Sequence, residues 1–280
     1  MAVQPRSSSA VMLVRDAASG AGMEVFMVRR VIQSDFMPDV YVFPGGSVQK
    51  DDLAAETTPG ICRALAAADA ADPAGRTVLG VGARAAAIRE LFEEAGVLLA
   101  YQGEDILVVN DGNMARFAGY RQAFNERKGS LIELASSEQL VLATERLSYF
   151  SHWITPEGMP KRFETHFFIT TAPLEQEAAY DQLETSEGIW IAPAEALARM
   201  ERGEFPIVFA TIHQLHELAA FKSVDEALQA ASSIPVKTNA PVLIERDGQL
   251  HVHLPEDMDN LWAVPEHMTR VRPTIEAKKE

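Results

Sequence analysis

The sequence predicts an α/β (α+β) fold in which helices pack on both faces of a mixed β-sheet. Three observations predict it. Short β-rich runs alternate with helical stretches along the whole chain. One segment, Ala83 to Ala95, has strong helical periodicity and ends at Gly96, where a helix C-terminus favours glycine. Over 280 residues, 47% are hydrophobic and 23% charged, ordinary globular values that can bury one large core with additions.

Ser9 to Val14 and Glu24 to Arg29 read as a strand pair separated by the turn-forming stretch Asp16 to Gly22. Tyr41 to Phe43 continues the sheet. Pro44, Gly45 and Gly46 stop it, because proline removes a donor and adjacent glycines permit the positive φ angles of a tight loop that a ligand can approach. From Asp51 to Gly82 the chain is alanine-rich and acidic, with a short helix expected over Ile61 to Ala70 inside an inserted loop. After the Ala83 to Ala95 helix, Val97 to Leu99 and Ile106 to Val109 read as strands, and Met114 to Arg127 and Ser137 to Leu142 as helices. Tyr149 to Thr155 and Arg162 to Thr171 read as paired strands, followed by a short strand at Ile189 to Ile191. Pro193 to Arg202, Val208 to Phe221 and Val224 to Ala231 read as helices, and Val242 to Glu245 with Leu250 to Leu254 as a hairpin turning at Asp247 and Gly248.

The charge excludes one class of partner. With 25 basic against 40 acidic residues the formal charge is −15, a field that repels nucleic-acid backbones, so no nucleic acid is expected. An anionic small molecule can still bind where a divalent cation and local arginines reverse that field. The single cysteine, Cys62, excludes an internal disulfide framework. No apolar run reaches the roughly 18 residues of a spanning helix, so no membrane association is expected and the cytoplasm is the default location.

The chemistry concentrates on Arg89-Glu90-Leu91-Phe92-Glu93-Glu94-Ala95-Gly96. Ile88, Leu91, Phe92 and Ala95 form one apolar stripe that faces the core. Glu90, Glu93 and Glu94 stand at i, i+3 and i+4 on the other face, within reach of a common point. Glu90 and Glu94 repel each other, and Glu93 and Glu94 occupy the last turn, where the helix dipole disfavours negative charge. A divalent cation removes both conflicts, and an all-oxygen donor set selects Mg²⁺ or Mn²⁺ over zinc.

These residues resemble the signature of the Nudix hydrolases, G-x5-E-x7-R-E-U-x-E-E-x-G-U with U a bulky aliphatic residue. Its second half is complete as Arg89, Glu90, Leu91, Glu93, Glu94, Gly96 and Val97, and its first half opens at Phe43-Pro44-Gly45-Gly46 with Asp52 at the glutamate position. The spacer before Arg89 is about 29 residues longer than the signature allows. An interrupted signature of this kind is similar to a branch related to the animal peroxisomal CoA diphosphatases of Nudix type nineteen. Phe36-Met37-Pro38, Trp153-Ile154-Thr155-Pro156 and Arg162-Phe163-Glu164-Thr165-His166-Phe167-Phe168 resemble that branch as well.

The resemblance implies a Nudix fold and metal-dependent cleavage of a diphosphate in a nucleotide-linked metabolite. Glu90, Glu93 and Glu94, with Gly46, are the expected metal site, and Arg89 the ion-pair partner that holds the glutamates. Glu184 and Glu187 are candidates for the general base. Gly45 and Gly46 with Arg29, Arg162, Glu164 and Trp153 are candidates for contact with the substrate, Arg30 and Lys161 being further cations nearby. The substrate the branch implies is CoA or acyl-CoA, split to 3′,5′-ADP and a 4′-phosphopantetheine product. An ADP-ribose or NADH diphosphatase, and a Nudix-fold sensor that binds nucleotide without cleaving it, are the alternatives. The Nudix domain is expected over residues 1–205, with an insertion at about 51–82 and an extension over 206–280 packed on the same core. Whether that extension caps, covers an acyl chain or forms a homodimer surface is left open.

Overall fold

The computed structural model of the chain describes residues 3–17, 20, 22–34, 37–65 and 79–265. In chain order the elements are β1 (Arg6–Asp16), β2 (Met23–Arg30), β3 (Tyr41–Val42), β4 (Gly45–Ser47), α1 (Lys50–Thr57), α2 (Ala83–Ala95), β5 (Ala100–Gln102), β6 (Asp105–Ile106), α3 (Met114–Asn125), α4 (Leu131–Glu138) and β7 (Leu140–Leu142). There follow β8 (Ser148–Ile154), β9 (Phe163–Thr171), β10 (Thr185–Ile191), α5 (Pro193–Glu201), α6 (Phe209–Ala219), α7 (Val224–Ser233), β11 (Thr238–Asn239), β12 (Val242–Arg246), β13 (Gln249–His253) and β14 (Trp262–Ala263).

A mixed sheet runs in the order β10-β2-β1-β9-β8-β11, with β3 paired to β2 and β4 to β1. β1 is its axis. Its first half pairs with β4 and its second half with β2, both antiparallel, while its other edge runs parallel to β9 from Arg6↔Phe163 to Val14↔Thr171. A parallel pair needs a long crossover, and here the crossover carries α1 to α4. Alternation along β1 then divides the interior in two. Val11 and Leu13 meet Ile88, Leu91 and Phe92 of α2 on one face. Ala10, Met12 and Val14 meet Leu197, Ile212, Leu215 and Val224 of α5, α6 and α7 on the other. Helices on both faces of a mixed sheet are the fold class the sequence predicts. The hairpin of β12 and β13 turns at Asp247 and Gly248, both at positive φ, as a two-residue connection requires.

Four local expectations are corrected. Val97 to Leu99 is buried but is not a strand; the side-chain amide of Gln176 takes the place of a neighbouring strand there, accepting from Leu98 N and donating to the Leu98 and Leu107 carbonyls. Pairing begins one residue later, at Ala100. The helix expected over Ser137 to Leu142 ends at Glu138. Its start is fixed at Ser130 and Leu131, both of which donate to the Asp51 carboxylate, and Gln139 at φ 53° ends it, so Leu140 to Leu142 pairs with β5 instead. The insertion forms its helix at Lys50–Thr57, where Asp52 accepts from Gln49 N and caps the first turn; Ile61 and Cys62 are not helical, and residues 66–70 lie outside the described residues. Finally, Gly45 and Gly46 use no positive φ and form β4.

Gln176 is 8% exposed and makes three bonds to backbone that has no other partner strand. Gln176→Ala is expected to lower the unfolding free energy by about 2–4 kcal/mol, read as the urea midpoint at unchanged m-value.

Candidate active site

The site is organised by α2. Its apolar stripe is fully buried, as expected, but the acidic face is not a solvated one: Glu90 and Glu94 are 7% and 6% exposed. Helix periodicity sets which side chains share a face and says nothing about what covers it. Here β4 covers it. Gly45 N donates to Glu94 Oε2 at 3.0 Å. A Cβ on Gly46 would lie 2.3 Å from Glu90 Oε1, and one on Gly45 2.5 Å from the Ser9 carbonyl. The glycines are therefore required for close approach of the backbone to β1 and to the carboxylates, and not for a tight loop.

Arg89, itself 2% exposed, neutralises part of this cluster. Its Nε and one terminal nitrogen form a two-point pair with Asp52 at 2.8 and 2.9 Å. The other terminal nitrogen donates to Glu90 at 2.8 Å and to Glu93 at 2.9 Å, and the fork also reaches the Ser47 carbonyl. Burial works to lower the Arg89 pKa, yet the carboxylates of Glu90, Asp52 and Glu93 hold it above its ordinary value. Asp52, with no exposed surface, thus sits where its shorter side chain still reaches the guanidinium across the insertion.

The carboxylates remain under-compensated. Burial pushes Glu90 up to about 7 despite Arg89, and burial together with the neighbouring Glu90 raises Glu94 well above the usual carboxylate range. Glu93 is raised by burial too. Two buried carboxylates, a partly buried third at Glu93 and a glycine backbone packed against them fit a hard divalent cation.

All three glutamates open into a cavity of about 670 Å³ on the α6 side of the sheet. Gly45, Gly46, Glu184 and Trp153 line it, and its cations are Arg6, Arg30 and Arg127. Glu184 bears electrostatically on Glu93 and Glu94. Trp153 packs against Phe209 and His213, and its Nε1 is buried without a hydrogen-bond partner. The apolar end is built by α6 and the hairpin, through Phe209, Leu243, Val252 and Trp262.

Other expected residues lie elsewhere. Glu187 accepts from Tyr41 Oη at 2.6 Å and lies 3.9 Å from Arg29, whose closer partner is Asp39; neither lines the cavity. Arg162 is spent on the Thr155 and Val3 carbonyls and holds strand ends together. Glu164 alternates with Phe163 and Thr165, which do line the cavity, and so points from the opposite face toward His152. Arg6 and Arg127 had no local signal: one opens β1, the other follows α3 at φ 58°, and only the tertiary fold brings them to the cavity that the glutamates share.

A family model described as the NUDT19 Nudix domain matches residues 59–220. The chain is 26% identical over 233 residues to an acyl-coenzyme A diphosphatase NUDT19 of Xenopus laevis and 28% identical over 244 residues to that of Gallus gallus. The matches cover 72% of this chain, and 61% and 63% of those relatives' own lengths. In fold it is similar to the crystal structure of a NUDIX hydrolase from Alicyclobacillus acidocaldarius, with TM-score 0.66 and 24% identity over 84% of this chain and 99% of that one. Among the described residues no helix is long and apolar enough to cross a membrane.

Removing one partner of a buried ion pair strands the other. Asp52→Ala is therefore expected to cost about 3–5 kcal/mol in urea unfolding, much more than the loss of an exposed acid. Loss below about 1 kcal/mol would contradict the pairing described.

Proposed function

Because the chain belongs to the NUDT19 branch of the Nudix hydrolases, we propose that it hydrolyses the diphosphate of CoA or an acyl-CoA, releasing 3′,5′-ADP and a 4′-phosphopantetheine product. The observation that carries the reading is the set of Glu90, Glu93 and Glu94, the first and last of them buried, opening beside Gly45 and Gly46 into a cavity with three arginines.

Glu90, Glu93 and Glu94, with the Gly46 backbone, would hold Mg²⁺ or Mn²⁺. When bound, the ion neutralises the diphosphate and makes water a better nucleophile at neutral pH. The protein's own part is positioning. Arg89 fixes the rotamers of Glu90 and Glu93 through its fork, and Gly45 N fixes Glu94. Arg6, Arg30 and Arg127 are the cations that meet phosphate oxygens, replacing Arg29 and Arg162 in that role. Trp153 contributes to the wall. Glu184 is the better candidate for the general base, since it faces the cavity while Glu187 is held by Tyr41.

The cavity divides by chemistry in the way this substrate does. Its carboxylate and arginine end suits a metal-bound diphosphate, and its apolar end suits the uncharged pantetheine arm.

The test is cleavage of CoA, acetyl-CoA, ADP-ribose and NADH with Mg²⁺ or Mn²⁺, products identified by mass. CoA is expected to yield 3′,5′-ADP, a chelator to abolish turnover, and Glu94→Gln to lower kcat at least about a hundredfold with the fold intact. Cleavage confined to ADP-ribose or NADH would overturn the substrate, and binding without cleavage the reaction. In the same assay Glu184→Gln is expected to reduce kcat at least about a hundredfold and Glu187→Gln by less than about tenfold; the reverse order would reassign the base.

A further inference from the structure

Three side chains that the diphosphatase reading leaves unused meet on the sheet face away from the cavity: His152 of β8, with Glu164 and His166 of β9. His152 and His166 are cross-strand partners, their rings stacked with centroids 4.7 Å apart and planes within 8°. Each Nδ1 is tied to a hydroxyl, His152 to Thr238 Oγ1 at 2.9 Å and His166 to Tyr149 Oη at 2.8 Å. Those anchors leave both Nε2 atoms for another partner. His152 Nε2 is buried outside hydrogen-bond geometry, with Glu164 Oε1 at 3.1 Å.

Metal-ligating histidines are held in this way: the second ring nitrogen is fixed by a polar partner, which sets the tautomer and aims the first. Ligand-capable atoms of the three residues lie within 4.8 Å of one another. Zinc bonds of about 2.0–2.1 Å place tetrahedral donors about 3.3 Å apart, which the His152 to Glu164 approach already meets. The two stacked imidazoles must tilt to bring their Nε2 atoms to that spacing, and Glu164, with 41% of its side chain exposed, has room to follow. A Cβ on Gly80 would stand 3.7 Å from His166 Nε2 and 3.8 Å from Ser7 Oγ, so among the described residues a glycine and a hydroxyl border that nitrogen. Burial, the neighbouring His152 and the Arg84 guanidinium bring His166 down to about 4, which leaves it as the neutral imidazole that ligates metal.

We propose that His152, Glu164 and His166 form a second metal site, taking one transition-metal ion of the Zn²⁺ type on the sheet face opposite the carboxylate cavity. Two imidazoles and a carboxylate are a nitrogen-rich donor set, distinct in preference from the all-oxygen glutamates. An ion held there joins β8 to β9.

The test uses the untagged full chain, stripped with a chelator and titrated with Co²⁺, reading bound metal and the visible absorption of tetrahedral cobalt. One equivalent with an intense band, apart from any Co²⁺ that the all-oxygen glutamates take with weak absorption, is expected in the wild type and in Glu94→Gln alike. The band should vanish in His166→Gln, and Glu164→Gln, which changes a partly exposed side chain in a fold that survives it, should weaken Co²⁺ at least about tenfold. No intense band in the wild type, or a band unchanged in both His166→Gln and Glu164→Gln, would overturn the site.

Discussion

A guanidinium that keeps 2% of its surface in water stays charged only if acceptors replace the solvent on nearly every donor, and Arg89 has them. Asp52 takes two of its bonds, Glu90 and Glu93 share a third nitrogen's reach, and the Ser47 carbonyl closes the fork. One side chain therefore fixes α1, the end of β4 and two glutamates of α2 relative to each other. Without it Asp52 and Glu90 would lose the cation buried between them. With it the carboxylates are ordered yet still short of positive charge, and burial leaves Glu90 and Glu94 raised. A site in that condition is stable enough to fold and incomplete enough to bind a dication.

The sheet supplies two chemistries from one strand. Along β9, Phe163, Thr165 and Phe167 line the cavity, while Glu164, His166 and Phe168 project toward the α2 side. The two faces differ in electrostatic character as a result. One borders the large opening with its arginines; the other, which α2 covers, holds two stacked imidazoles in a packed layer. The extension beyond residue 205 takes part on the cavity side, since α6 and the hairpin contribute the apolar wall and cluster with Trp153.

What the sequence made legible was local and periodic. The spacing of Ile88, Leu91, Phe92 and Ala95 located α2, the glycine at position 96 ended it at φ 72°, and Asp247-Gly248 marked the hairpin. What it hid was set by partners distant in the chain. Asp51 capping Leu131 moved α4, and Gln176 replaced a strand beside Leu98; neither can be read from the segments it alters. Alternation correctly separated Glu164 from Phe163 and Thr165, but a single strand does not reveal which face holds the cavity. For the same reason the sequence could not tell that Arg30 lines the cavity while Arg29 and Arg162 find partners that only the fold supplies.

The bond between Asp52 and Arg89 joins residues 37 positions apart and so closes a loop that contains the whole insertion. The entropy of closing a flexible loop grows only with the logarithm of its length, about 0.6 kcal/mol for each doubling. Once the two ends are clamped by this buried pair, whose breakage would strand a charge, the intervening chain can lengthen or shorten at little thermodynamic consequence to the carboxylates it flanks. A signature that would be destroyed by an insertion if it were only a string of residues survives here because, in three dimensions, its two halves are held together by a charge.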